Sequence, residues 1–331
     1  MTSSHRVLSV AVVQGGPSSE AEVSRASAKS VAAALEQAGH RTARVELDPY
    51  LADSLRTGGY DVVFPVVHGA VGEDGCLQGL LEIVELPYVG SRTLGSALAM
   101  DKPVARQLFQ AAGLPVAKGT TAQRGEDKHQ AAERVLRTLG SRLVVKPGAN
   151  GSAIGVARLR EATVELLGAA LDGVWQVDET ALIEQFAVGQ EVTCGVLATP
   201  TPTALPPTLI HAPNDAFYTY EARYAAGRST HECPAPLPPD VFAQVQAVAV
   251  QAFGALSCRD LARADFVVGD LDDANKVTLL EINTMPGFTA TSLFPEAAQA
   301  AGIPFPELVH RLVTQAYARG LPSRNIPRPL P

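Results

Sequence analysis

The stretch Val7-Leu8-Ser9-Val10-Ala11-Val12-Val13-Gln14-Gly15-Gly16-Pro17-Ser18-Ser19-Glu20 decides the fold class. Its first seven residues are almost all apolar, the pattern of a parallel strand buried on both faces. Two glycines and a proline then turn the chain. Beyond the turn, Val23, Val31, Ala34, Leu35 and Ala38 fall on one stripe of a helix, with Gly39 as its candidate cap. Second and third strands are predicted at 42–47 and 61–67. Strand, helix and strand in that order predict an open α/β sheet.

Past a shift near Gly90-Ser91, helices are predicted over 101–112 and 126–139, and a strand over 142–146. Two strand-like runs between 181 and 196 flank Gly189. The stretch 199–233 reads as a strand at 208–211 and then a long loop, a length usually reserved for functional lids. Val241, Phe242, Val245, Val248, Ala252 and Phe253 mark an amphipathic helix. Strands at 262–268 and 276–282 are joined by an acidic turn with Asp270, Asp272 and Asp273. A last helix carries Phe305, Leu308, Val309, Leu312, Val313, Ala316 and Tyr317. The tail 321–331 holds four prolines and is expected to be mobile.

A chain of 331 residues suggests about two domains, or three small ones. Its 46% hydrophobic content excludes a disordered composition. A net charge of −7 argues against broad binding to nucleic acid or to anionic membranes. No apolar run approaches the roughly 18–20 residues of a membrane span. The first apolar run ends in Gly15-Gly16 and reads as a strand, not as a signal segment. Cys76, Cys194, Cys233 and Cys258 are widely spaced, which argues against a zinc site or disulfide framework and for a reducing cytoplasm.

The Walker, dinucleotide, serine-hydrolase and zinc-protease motifs are absent. Three other stretches point to chemistry. Lys146 stands at a strand end before Pro147-Gly148-Ala149-Asn150-Gly151-Ser152-Ala153-Ile154-Gly155, a turn whose backbone N–H groups suit phosphate oxygens; an ordinary hairpin with a solvated lysine is the alternative. Asp265 lies in one apolar strand, and Glu281 and Asn283 end the next, two residues apart and so on one face. If those strands pair, two carboxylates and an amide form a hard-oxygen set suited to Mg²⁺, the alternative being a solvated strand end. His68-Gly69-Ala70-Val71-Gly72-Glu73-Asp74-Gly75 follows the third strand, and Ser18 and Glu20 follow the first. Ligands of open α/β sheets bind at that edge. Glu20 as a helix-start residue and His68 as a turn histidine are equally open readings.

Taken in order, these pieces resemble the D-alanine–D-alanine ligases of the ATP-grasp superfamily, from about residue 7 to 318. The resemblance rests on 15–24, 68–75, Met100-Asp101-Lys102, 146–155, Phe217-Tyr218-Thr219-Tyr220-Glu221-Ala222-Arg223-Tyr224, and Glu281-Ile282-Asn283-Thr284-Met285-Pro286-Gly287-Phe288-Thr289. It implies a Rossmann-like substrate domain (1–99), central and C-terminal ATP-grasp domains (100–186 and 187–320), a lid at 208–233 and a cytoplasmic homodimer acting on ATP and D-alanine. It also implies two Mg²⁺, or Mn²⁺, held by Asp265, Glu281 and Asn283. Lys102, Lys146 and Arg223 would hold phosphates, Glu184-Gln185-Phe186-Ala187 would form the adenine hinge, and Glu191 would take the ribose. Glu20 would anchor the first substrate's ammonium with His68 beside it. Ser292 and the Leu293 backbone would take the second substrate's carboxylate. Arg263 and the Gly287 N–H would stabilise the oxyanion. Tyr224, Ser152 and Glu20 would form a latch across the domains, a pattern that resembles the amide-forming ligases.

Two positions depart from the family pattern. Arg223 stands where lysine is usual, and Ala153 replaces the second serine of the glycine-rich turn. Two other readings stand beside the ligase: a same-fold enzyme joining other D-amino or D-hydroxy acids, and a non-catalytic nucleotide-binding regulator. The full set of Lys102, Lys146, Asp265, Glu281 and Asn283 argues against the regulator.

Overall fold

The computed structural model describes residues 6–149, 151, 155–211, 229–269, 277–289 and 292–321. The first layer is the expected open sheet. Strand β1 (Ser9–Gln14), helix α1 (Ala21–Gln37), β2 (Arg41–Glu46), α2 (Leu51–Thr57) and β3 (Val62–Pro65) build a parallel sheet in the order β2-β1-β3. β1 is central, and Val10, Ala11, Val12 and Val13 are all fully buried, as its unbroken apolar run requires. Gly15 and Gly16 take positive φ values of 77° and 93°, which lets the chain turn sharply from β1 into α1. α3 (Cys76–Ile83) and α4 (Thr93–Met100) complete this part of the chain.

α5 (Lys102–Ala111) begins where Asp101 accepts a hydrogen bond from the Val104 N–H at 3.0 Å, with Pro103 in the first turn. β4 (Gly119–Gln123), α6 (Lys128–Leu139), β5 (Leu143–Pro147), β6 (Ala157–Leu159), α7 (Val164–Trp175) and β7 (Thr180–Gln185) form the second layer. Its sheet is antiparallel in the order β4-β7-β5-β6. α7 escaped the periodicity reading because Gly168 takes one place in its buried stripe of Leu167, Leu171 and Val174. Its start is nonetheless capped by Thr163.

The third layer holds β8 (Gln190–Ala198), β9 (Pro202–Ala204), β10 (Thr208–His211), β11 (Thr230–Glu232), α8 (Pro239–Ala255), β12 (Leu261–Val268) and β13 (Val277–Asn283). The sheet is antiparallel, β11-β10-β8-β12-β13, with β9 paired to β8. The expected lid is described only at its ends, β10 and β11. The acidic turn 270–275 and the tail 322–331 lie outside the described residues. α9 (Leu293–Ala300) and α10 (Phe305–Arg319) follow, and α10 packs back on α1 and β3. The first core therefore mixes Val10, Val12 and Phe64 with Phe288, Phe294, Leu308 and Leu312. Phe64 meets Phe288 edge-on with ring centres 5.3 Å apart.

One irregularity matters for the site. β12 and β13 pair with Arg263 opposite Asn283 and Asp265 opposite Glu281, but Phe266 already faces Leu279. Leu280 is thus the extra residue of a bulge. Val277, Leu279 and Ile282 all enter the core beneath α8. The inward alternation slips by one residue at the bulge, and this turns Glu281 and Asn283 away from that core.

Candidate active site

The ends of β1 and β3, the start of α5 and the β12–β13 pair converge on one cleft. Glu20, His68, Lys102, Arg263, Glu281, Asn283 and Gly287 line it. These seven residues, spread over most of the chain, were each singled out in the sequence. Glu73 and Gly151 line it as well.

On the first sheet's side, Glu20 directly precedes α1 and is buried. Its side chain makes no capping hydrogen bond, so a helix-start role would rest on its charge at the helix N-terminus alone. Ser18 donates to the His68 carbonyl at 2.7 Å and ties the two loops together. A Cβ on Gly69 would lie 3.2 Å from Glu20 Oε2, so this glycine lets the loop pass close to the carboxylate. Burial pushes the His68 imidazole down despite the neighbouring Glu20 charge, leaving a neutral ring at pH 7. Among the described residues its buried Nε2 has no hydrogen-bond partner, and a bound ligand would satisfy it. Glu73 accepts from the Gly69 N–H. Burial pushes its carboxyl up to about 8, with Glu20 adding to the rise. Sequence reading quoted Glu73 within the 68–75 stretch without giving it a role, because nothing local marks it as buried.

On the third sheet's side, Arg263 grips Asp265 with two parallel bonds, Nε to Oδ1 at 2.7 Å and Nη2 to Oδ2 at 2.8 Å. The Thr193 hydroxyl donates to the same Oδ1 at 2.9 Å. Asp265 therefore sits behind Arg263. Glu281 lies 3.6 Å from the Lys102 ammonium. Asn283 Oδ1 accepts from the Met285 N–H at 2.8 Å, which fixes the start of the following loop. In that loop a Cβ on Gly287 would fall 2.8 Å from Ser292 Oγ. Ser292 itself bonds Thr289, through the Thr289 N–H at 3.0 Å and the hydroxyl at 2.8 Å. Ser292 and Leu293 stand at the start of α9, one step behind the Gly287 wall.

The second sheet supplies a separate cluster. Lys146 is buried, with its ammonium 2.7 Å from Glu184 Oε2, and Arg106 reaches Glu184 Oε1 at 3.3 Å. Burial alone would lower the Lys146 ammonium, but Glu184 and Glu281 outweigh it and the net shift is upward. Gly148 is clamped between the Lys102 N–H at 2.8 Å and the Thr180 carbonyl at 2.9 Å, so the glycine-rich turn starts beside α5. Phe186 follows β7, with the Arg158 guanidinium 5.1 Å from its ring centre. The same guanidinium reaches Glu191 on β8 at 3.1 Å, and Ala187 lies in the connection between the two strands. Sequence reading missed Arg106 and Arg158; both are ordinary surface-type residues until the sheets assemble. Ser152, Ala153, Arg223 and Tyr224 lie outside the described residues.

Residues 108–314 match the family model described as the D-ala D-ala ligase C-terminus, and residues 48–91 match the D-ala D-ala ligase N-terminus. The D-alanine–D-alanine ligase of Moorella thermoacetica is 39% identical over 312 residues, 93% of this chain and 99% of that protein. That of Caulobacter vibrioides is 42% identical over 314 residues, 94% of this chain and 93% of that one. Among solved structures, the D-alanine–D-alanine ligase of Coxiella burnetii is similar with a TM-score of 0.78 at 30% identity, covering 94% of this chain and 96% of that one. The Bacillus anthracis D-alanine–D-alanine ligase complexed with ATP gives 0.81 at 27% identity, over 95% and 98%.

Proposed function

Because the chain belongs to the D-alanine–D-alanine ligase family and shares its ATP-grasp fold, its reaction is the ATP-dependent joining of two D-alanines for peptidoglycan synthesis, and we propose that the cleft between the first and third sheets performs it. The observation that carries this reading is the convergence of Glu20 and His68 with Lys102, Arg263, Glu281 and Asn283 in that cleft.

The carboxylate of the first D-alanine attacks the γ-phosphate of ATP, giving ADP and an acyl phosphate. The amine of the second D-alanine attacks the activated carbonyl, phosphate leaves, and the dipeptide remains. Glu20 holds the first substrate's ammonium, and the unsatisfied Nε2 of neutral His68 meets a polar group of the same substrate. Lys102 and Lys146 turn from Glu281 and Glu184 toward the phosphates. Arg263, held in plane by Asp265, and the Gly287 N–H face the developing oxyanion. Ser292 and Leu293 orient the second substrate through its carboxylate. Glu184, Phe186, Ala187 and Glu191 bind the adenosine part, with Arg158 fixing Glu191.

Asp265, Glu281 and Asn283 would hold Mg²⁺, or Mn²⁺. The fit is supported by their register, with Asp265 facing Glu281 across β12 and β13 and an amide oxygen two residues on, and it requires Asp265 to share with the metal the carboxylate that Arg263 grips. When bound, the metal would offset phosphate charge. We assign the domains to 1–99, 100–186 and 187–320, and infer a homodimer in the cytoplasm. The four free thiols support a reducing compartment. Among the described residues no helix is long and apolar enough to cross a membrane.

The test is phosphate release from ATP with and without D-alanine, with products identified by mass spectrometry. Release that depends on D-alanine and yields the dipeptide is expected. Release indifferent to D-alanine, or a different product, would overturn the assignment.

A further inference from the structure

Away from the cleft, the segment just before β12 buries a charge. The Asp260 side chain is fully buried, and its backbone adopts a left-handed φ of 63°. That conformation is uncommon outside glycine and persists only where surrounding contacts enforce it. Here they do. Arg319, at the end of α10, donates to Asp260 Oδ1 at 2.6 Å and to Oδ2 at 3.0 Å. Gln315, one turn earlier, reaches Oδ1 at 3.2 Å and the Ala198 carbonyl at 2.6 Å. The Gly90 N–H donates to Oδ2 at 2.9 Å. Arg259 bonds the Gly90 carbonyl at 2.7 Å and stacks over the Tyr88 ring, 4.5 Å from its centre. One carboxylate thus binds the edge of the first sheet, the last helix and the third sheet at a single point.

This point connects to the substrate end of the cleft. Gly90 has no side chain, and a Cβ there would lie 2.9 Å from the methyl of Met285, so Met285 packs directly on the clamped backbone. The Met285 N–H is held by Asn283, which lines the cleft together with His68. Asp260 also lies three residues before Arg263, immediately ahead of β12. We propose that Asp260, with Arg319, is a positioning site for the ligase reaction. It fixes the first sheet, which carries Glu20 and His68, against the strands that carry Arg263 and Asn283. It touches neither substrate. Its contribution falls on D-alanine more than on ATP: the first sheet it fixes carries only D-alanine contacts, whereas Lys146, Glu184 and Glu191 of the second sheet and β8 hold ATP independently of the clamp.

The inference rests on the assignment of Glu20 and His68 to the D-alanine end, so the experiment carries an arm for that reading. Steady-state kinetics on full-length protein would compare Arg319→Met, Asp260→Asn and Glu20→Gln, varying D-alanine and ATP separately. Arg319→Met is expected to raise the KM for D-alanine about tenfold, as for a loss of one decade in affinity, with the KM for ATP unchanged. Asp260→Asn keeps an acceptor for Gly90 but loses the charge, and is expected to follow the same split. Arg319 is partly exposed at a helix end, so its variant reads the effect even where Asp260→Asn fails to fold. Lowered stability with both KM values unchanged, or an equal rise in both, would make the cluster merely structural and overturn the proposal. If Glu20→Gln leaves the KM for D-alanine unchanged, the assignment of the substrate end has failed instead.

Discussion

Replacing Glu184 by glutamine tests the electrostatics of the second sheet. The carboxylate sits 2.7 Å from the Lys146 ammonium and 3.3 Å from the Arg106 guanidinium, with all three side chains close to 10% exposed. At an effective dielectric constant of about 20, a unit pair at the shorter distance attracts by roughly 6 kcal/mol. Most of that is offset by removing the ions from water. The quantity a substitution reads is therefore the cost of leaving buried charges without a partner, about 3–5 kcal/mol. Glu184→Gln keeps the shape and takes from two cations their nearest counter-ion, leaving Lys146 only the Glu281 charge. Lys146→Met removes one cation and leaves Glu184 with Arg106, so its cost is smaller, about 1–2 kcal/mol. Urea denaturation followed by circular dichroism measures both. The order is the test: a loss below about 1 kcal/mol for Glu184→Gln, or a greater loss for Lys146→Met, would refute the view that Glu184 is the counter-ion of a buried cluster. The glutamine variant should also lose the upward shift of Lys146, with a weakened ATP affinity appearing first at alkaline pH.

Three further outcomes follow from the cleft. The Glu73 carboxyl, raised from 4.5 to about 8 by burial, binds its proton more tightly folded than unfolded, so wild-type stability falls as pH rises across that window and levels off above it. Glu73→Gln, neutral throughout, should remove that decline in urea denaturation at pH 5, 7 and 9; parallel profiles for both proteins would show that Glu73 is ionised when folded. Glu281→Gln should abolish most of the ligase rate at modest Mg²⁺ while leaving the circular dichroism spectrum unchanged, and full turnover would remove Glu281 from the metal set. Glu20→Gln should weaken apparent affinity for the first D-alanine by about ten-fold to over a hundred-fold, the worth of a charge-assisted hydrogen bond, and ATP much less; equal effects on both would count against an ammonium anchor.

Much of this architecture was legible in advance, for local reasons. β1 is central in a parallel sheet, so it is apolar on both faces, and its residues announce it without help from any neighbour. α1, α8 and α10 each bury one stripe and show it at helical spacing. The cleft residues were readable because glycine-rich loops and strand-end acids are costly to explain by packing alone. α7 and the short strands β6, β9 and β11 were not, since Gly168 interrupts the stripe of the first and three-residue strands carry no period.

Residue types and their order therefore determined the open sheet, the phosphate-type turn after Lys146, the acid and amide at the end of β13 and, through resemblance, the ligase family. Tertiary structure alone decided how those parts face one another. A one-residue bulge at Leu280 turns Glu281 and Asn283 out of the core beneath α8; a regular β13 would have buried them beside Val277 and Leu279. Arg106 and Arg158 acquired their roles only when strands distant in sequence brought Glu184 and Glu191 within reach. Asp260 reads as an ordinary loop acid until α10 returns to the first sheet and closes Arg319 over it. The physical reason is common to all three. Propensity and periodicity are properties of neighbouring residues, whereas burial of a charge and the register of a bulge depend on which distant segment arrives to pair with it.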